Sequence, residues 1–234
     1  YEGRLIKLER NANINLDEEF EELTEAEESD EVQRAKSRWS ALEALVGVDT
    51  RLQTVAKDFV EHFENRQAAM DGKALIVCMS RKICADLYAE IIKLRPQWHN
   101  DDAHKGKIKV VITGSAEDKA PISNHVRSKK VREDVADNFK DANHELQIVI
   151  VRDMWLTGFD VPSMHTMYID KPMQGHGLMQ AIARVNRVFK DKPGGLVVDY
   201  IGIADALKKS MSTYTESGGA GKPTIDKAEA VAVM

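Results

Sequence analysis

From residue 73 onward the chain alternates two hydrophobic textures. One is a set of short, almost unbroken apolar runs: "KALIVCMS" at 73–80, "KIKVVITGS" at 107–115, "LQIVIV" at 146–151, "MHTMYID" at 164–170 and "PGGLVVDYIG" at 193–202. The other has apolar residues three and four apart: "RKICADLYAEIIKL" at 81–94, "KKVREDVADNFKD" at 129–141, "GLMQAIARVNRVF" at 177–189 and "IADALKKSMSTY" at 203–214. The first texture predicts strands buried on both faces, and the second predicts amphipathic helices. Their alternation predicts an α/β domain, a parallel sheet with helices on both faces. Arg95-Pro96 closes the first of these helices. Upstream, residues 17–70 hold no proline and few glycines, and Trp39, Leu42, Leu45, Val46 and then Val55, Phe59, Val60, Phe63 recur at helical spacing. That segment reads as mainly helical, with "RLIKLE" before it as an opening strand. The expected organisation is a helical connector over 1–70, the α/β domain over 71–213, and a flexible tail over 214–234.

Composition refines this only in places. The chain has 234 residues, 43% hydrophobic and 30% charged, with a net charge of −5. Such a balance suits a soluble protein and argues against a wholly basic, polyanion-coating surface. The acid is uneven, however: residues 17–31, "DEEFEELTEAEESDE", carry ten carboxylates and no base. Without that run the remainder is slightly basic, so a local basic groove stays open. The run itself reads as a solvated helix face or a loop. Cys78 and Cys84 read as free, buried thiols of a reducing cytoplasm. No apolar run approaches the roughly 20 residues that span a bilayer, and "YEGRLIKLER" is no signal peptide. Tyr1 in place of an initiator methionine makes a fragment of a longer polypeptide the expectation.

Ligands of parallel sheets bind at the carboxyl ends of strands. There this sequence places Ser80-Arg81, then Thr113-Gly114-Ser115, then Arg152-Asp153, and, a few residues later, Thr157-Gly158-Phe159-Asp160. Hydroxyl, glycine and guanidinium groups are what contact phosphates, although serine and threonine also cap helices. "TGFDVP" fits a tight turn as well as a nucleotide contact, with Gly158 permitting close approach and Asp160 accepting from a ribose hydroxyl. Trp155, inside the same loop, reads as a packing residue. In "QAIARVNR", Gln180, Arg184 and Arg187 lie at i, i+4 and i+7, one stripe of a helix, with Ile182, Val185 and Phe189 on the other side. Two guanidiniums on one stripe require an anion opposite. A surface ion pair is worth at most about 1 kcal/mol, whereas an arginine finger on a γ-phosphate gives roughly 10³–10⁵ in rate. Acids are scarce on that helix, which favours the finger.

Together, "ALIVCMSRKICADLY", "QIVIVRDMWLTGFDVP" and "GLMQAIARVNR" resemble motifs IV, V and VI of superfamily 2 helicases and translocases. The variant, with the succession "TGFDVP…YIDKPM…GLMQAIARVNR" as its most specific part, closely resembles the motor (R) subunit of type I restriction-modification enzymes, and with the opening "YEGRLIKLE" the similarity spans most of residues 1–205. The resemblance implies a RecA-like second motor domain. It implies that Gln180, Arg184 and Arg187 reach the γ-phosphate of ATP and the attacking water, and that Gly158 and Asp160 couple nucleotide to DNA. By the same carry-over Ser80, Arg81, Gly114, Ser115, Arg152 and Thr157 line the nucleic-acid track. Ala183 replaces a glycine frequent in the wider superfamily, a change that concerns subfamily rather than mechanism. ATP and Mg²⁺ are then the implied cofactors, bound mainly by a first motor domain outside this chain. The implied partners are double-stranded DNA, that first motor domain and a nuclease domain of the same polypeptide, and the modification and specificity subunits. The location is the cytoplasm, without membrane contact.

The phosphate-cradling GxxxxGK[ST] pattern is missing. "GGAGKP" in the tail puts Pro223 where the Mg²⁺-holding hydroxyl belongs and Glu216 where the first glycine belongs. No acidic tetrad for Mg²⁺ and no nuclease carboxylate pattern appear, and His99 and His104 lack a third ligand at metal spacing. The fragment alone is therefore expected to be inactive. Two further readings stay open on sequence: another superfamily 2 motor, and a non-catalytic α/β module whose arginine stripe docks an acidic partner.

Overall fold

The structure, a computed structural model, describes residues 1–6, 29–187 and 194–216. Six strands form one parallel sheet: β1 (Glu2–Gly3), β2 (Lys73–Cys78), β3 (Ile108–Val111), β4 (Ile148–Val151), β5 (Met164–Asp170) and β6 (Leu196–Asp199). Their order is β1-β6-β5-β2-β4-β3. The helices are α1 (Ser29–Val46), α2 (Asp49–Ala69), α3 (Arg81–Leu94), α4 (Lys129–Lys140), α5 (Gly175–Val185) and α6 (Ala204–Glu216). This is the α/β architecture expected of a RecA-like domain: one parallel sheet, helices on both faces, and a helical segment before it.

The two-residue period of a strand divides the core in two. Ala74, Ile76 and Cys78 of β2, with Ile148 and Ile150 of β4, pack among side chains of α1, α2 and α3. Leu75 and Val77, with Val149 and Val151, pack on the other face among side chains of α4, α5 and α6. The sequence shows no alternation in these strands because both faces are buried. Residues 29–70 add α1 and α2 to the first of these clusters: Leu42, Val46, Leu52, Val55, Phe59, Val60 and Phe63 lie with the strand side chains.

Several element limits differ from the sequence reading. The single helical stretch is broken at Gly47-Val48, where Val48 turns extended (φ −64°, ψ 133°) and α2 begins without a side-chain cap. Of the opening strand expected over "RLIKLE", residues 7–9 lie outside the described residues; the described strand is Glu2–Gly3, and backbone pairing runs on through Arg4 N–H to the Asp199 carbonyl (2.9 Å) and Ile6 N–H to the Tyr200 carbonyl (3.4 Å). Residues 7–28, with most of the acidic run, and the tail from 217 lie outside the described residues. Cys78 and Cys84 are free and buried.

β2 is where the chain changes direction across the sheet. β4 and β3 lie on one side of it, and β5 and β6 on the other. The carboxyl ends of β5, β2 and β4 are therefore neighbours on one rim, at a topological switch point of the kind where α/β sheets bind ligands. Residues 152–163 join β4 to β5 without a helix, and Leu156 and Val161 anchor that connection in the second core cluster.

Candidate functional site

At the end of β2, Ser80 is the N-cap of α3, and its Oγ accepts the Ile83 N–H at 3.3 Å. Arg81 donates through Nη1 to the Thr113 carbonyl (3.0 Å) and to Asp118 Oδ2 (2.5 Å). The same Asp118 oxygen accepts the Ser115 N–H at 2.6 Å, and Ser115 Oγ accepts the Glu117 N–H at 3.3 Å. The Ser115 N–H and the Arg81 guanidinium hold the Asp118 carboxyl below the usual carboxylate range. Gly114 has no room for a side chain: a Cβ there would stand 2.2 Å from Val126 Cγ1. The ends of β2 and β3 are thus one closed hydrogen-bonded unit.

Beyond β4, Arg152 pairs with Asp153 (Nε–Oδ2 3.2 Å), and Lys171, just past β5, bonds to the Asp153 carboxylate and the Arg152 carbonyl (3.4 Å). Trp155 then adopts a left-handed backbone (φ 68°), an uncommon state for a bulky residue. Its ring stacks on Phe159 (centroids 4.3 Å apart), with Phe139 of α4 beyond at 6.0 Å. Trp155 is half-buried, so it packs as the sequence suggested. The two stacked rings bracket Thr157 and Gly158, which are exposed, and Gly158 also has positive φ (67°). A Cβ on Gly158 would meet nothing within 4 Å, so the backbone conformation, and not crowding, calls for glycine there.

Helix α5 seats itself through Leu178, Ala181, Ile182 and Val185. Gln180 and Arg184 lie on it four residues apart, as expected; Gln180 Nε2 meets His176 Nε2 at 2.5 Å. Arg184 is half-buried, and its Nε is buried without a hydrogen-bond partner. Arg187 departs from the expectation. The helix ends at Val185, Asn186 leaves helical geometry (φ −80°, ψ 57°), and Arg187 stands beyond the last turn. Its Nε lies 3.5 Å from Asp160 Oδ1, with both side chains about half exposed (48% and 52%). The carboxylate missing from the helix is therefore supplied by the loop after β4. Phe189 lies outside the described residues.

Sequence reading overlooked one charged pair at this rim. Arg51 of α2 and Asp170 at the end of β5 are 3% and 0% exposed, and two bonds join them, Nη1–Oδ2 at 2.9 Å and Nη2–Oδ1 at 2.5 Å. Arg51 shares the i, i+4, i+8 row of Val55 and Phe59, so a charge inside an apolar stripe was the available signal. Among the described residues no group of three or more His, Cys, Asp or Glu could hold a metal ion, and no helix is long and apolar enough to cross a membrane.

Residues 40–202 match the family model described as type I restriction enzyme subunit R domain 3. The HindI endonuclease subunit of Haemophilus influenzae is 47% identical over 228 residues, 96% of this chain and 21% of that subunit. The MjaIXP endonuclease subunit of Methanocaldococcus jannaschii is 47% identical over 218 residues, 92% of this chain and 20% of its own length. A solved fragment of an HsdR subunit from Vibrio vulnificus aligns over 69% of this chain and 29% of its own, at 14% identity and a TM-score of 0.48. The chain spans about a fifth of the length of the curated relatives it matches. On these matches, which cover most of its length, the chain belongs to the family of type I restriction enzyme subunit R, domain 3.

Proposed function

We propose that the chain is the second RecA-like motor domain of an ATP-hydrolysing, DNA-translocating restriction subunit, with Arg184 and Arg187 as its arginine fingers. The observation that carries this reading is the state of the two guanidiniums. Among the described residues, Arg184 keeps a buried Nε without an acceptor, and the Arg187 guanidinium has a long, half-exposed contact to Asp160. A buried donor left unpaired is costly. A phosphate oxygen arriving between the lobes of the motor would supply both acceptors, and charge building on the γ-phosphate would be met by two fixed cations. Gln180, one turn before Arg184, is placed to orient the attacking water.

Gly158 and Asp160 belong to the same event. When a triphosphate takes Arg187, Asp160 loses its partner and is free to accept from the nucleotide's sugar. The loop that carries both then moves relative to α5, which couples nucleotide to DNA. Along the rim, Thr157 and Arg152 present exposed donors. Ser80 and Ser115 still have a hydroxyl proton to donate, and Arg81 retains its Nε and Nη2 hydrogens. Gly114 holds the backbone close. Contacts of this kind read phosphate rather than bases, so binding is independent of sequence and falls with salt. Target choice then rests with the specificity subunit. Mg²⁺ would come with ATP on the first motor domain; among the described residues no group of three or more His, Cys, Asp or Glu could hold it.

The test uses the full-length subunit assembled with its modification and specificity subunits. ATP turnover is measured with and without duplex DNA for the wild type and Arg187→Ala. A fall of several orders of magnitude in DNA-stimulated turnover, with ATP binding kept, supports the reading, and near-normal turnover sinks it. The isolated chain should neither hydrolyse ATP nor cut DNA.

A further inference from the structure

The helical pair before the sheet has no evident task in a motor, and the buried pair Arg51–Asp170 points to one. Taking two charges out of water costs more than their attraction commonly returns, and well-packed apolar side chains often serve stability as well. What a bidentate guanidinium–carboxylate fork supplies is geometry: two parallel bonds fix both distance and orientation. Arg51 uses both terminal nitrogens a second time on the same rim, while its Nε is buried without a partner among the described residues. Its Nη1 also meets the carbonyl of Val46, the last residue of α1, at 3.1 Å, and its Nη2 meets the carbonyl of Tyr200, just past β6, at 3.4 Å. One side chain therefore ties the α1–α2 corner to the ends of β5 and β6.

Asp170 is the residue from which two site elements depart. The next residue, Lys171, holds Asp153 and the Arg152 carbonyl at the start of the Trp155–Asp160 loop. A short link then leads to α5, which carries Gln180 and Arg184. We infer that Arg51 is a positioning residue for the motor reaction: through Asp170 it keeps α5 and the 152–160 loop in register with the α1–α2 corner. Residues 29–70 are then the strut against which the arginine helix is set. This inference rests on the motor reading above.

The experiment compares four variants of the full-length assembled enzyme by thermal midpoint and by kcat and KM for ATP in the presence of duplex DNA. Arg51→Lys keeps the charge and loses the fork; it is expected to fold and to lose at least tenfold in kcat, with KM for ATP within about twofold of wild type. Arg51→Met/Asp170→Leu removes both charges, and is expected to hold the wild-type midpoint while kcat stays low. Asp170→Asn should resemble Arg51→Lys. Wild-type kcat in Arg51→Lys, or in a folded double variant, overturns the inference; if the double variant does not fold, Arg51→Lys decides. Arg187→Ala is the control for the underlying reading. If it turns over ATP normally, the motor reading itself fails. If it is inactive while the Arg51 variants are not, only the positioning role falls.

Discussion

The two halves of the carboxyl-end rim are built from similar residues and left in opposite states. Around β2 and β3, Ser80 caps a helix, Arg81 is bonded to a carbonyl and a carboxylate, and Ser115 closes a turn onto the same carboxylate. Around β4 and α5, Thr157 and Gly158 are exposed, Arg184 has a buried nitrogen without an acceptor, and Arg187 makes one long contact. The first half has turned most of its polar groups on itself, as a platform, with the serine hydroxyl protons and the Arg81 Nε and Nη2 hydrogens left over. The second half, apart from the Arg152–Asp153–Lys171 cluster, holds more of them in reserve. Types of residue cannot separate these cases, since each half has hydroxyls, a glycine and arginines; only the inventory of partners does.

The largest test of this contrast is a pair of arginines. Arg184→Ala or Arg187→Ala should lower DNA-stimulated ATP turnover by about 10³–10⁵, whereas Arg81→Ala should lower it less than about tenfold and chiefly weaken DNA binding, most of all at low salt. Equal effects would erase the distinction between the halves. Next in size, Arg51→Met alone leaves Asp170 buried and unpaired, which should cost about 3–5 kcal/mol in chemical denaturation. A cost below 1 kcal/mol would mean that water reaches Asp170.

How much of this was legible beforehand varies with range. The limits of α3 and β5 are those the apolar pattern marks, because each is bounded by local signals: Ser80 and Arg95-Pro96 for the helix, Ser163 and Lys171-Pro172 for the strand. The end of α5 was not legible. Apolar periodicity continues past Asn186, and only that residue's backbone takes Arg187 off the helical stripe. The partner of Arg51 is 119 residues away, and no spacing rule reaches so far. The sequence could place a charge in the apolar row of α2, but not say what neutralises it.

Two smaller substitutions sharpen the comparison. Ser80→Ala in the platform should cost about 1 kcal/mol through the lost cap. Gly158→Ala in the reserve half should cost a similar amount, about 1–2 kcal/mol, purely from the left-handed backbone. Only the second should also reduce turnover beyond its effect on stability, which paired melting and ATPase measurements would separate.

A further expected effect is one of pH. His125 lies edge-on to Tyr88 at 4.7 Å, and burial, with Arg127, His99 and Lys109 nearby, lowers its pKa to about 4. Between pH 6.5 and 4 the unfolded chain binds a proton that the folded chain refuses. Stability therefore falls as the pH is lowered through that window. His125→Gln should flatten this acid limb of the thermal midpoint, and an unchanged limb would assign it to other groups.

The sheet's outermost strand on one side, β1, pairs with β6 through Glu2–Val198 and Gly3–Asp199, and Tyr1 bonds to the Asp199 carboxylate. Almost the whole chain intervenes between these partners. Of the six strands β1 is synthesised before the others, yet it can dock only after β6 has emerged and the other strands are aligned. Contacts of such long range slow folding, since the loop they close must be ordered before they repay it. The strand of this sheet made before the rest is thus the last to find its place, and the sheet is completed along that edge.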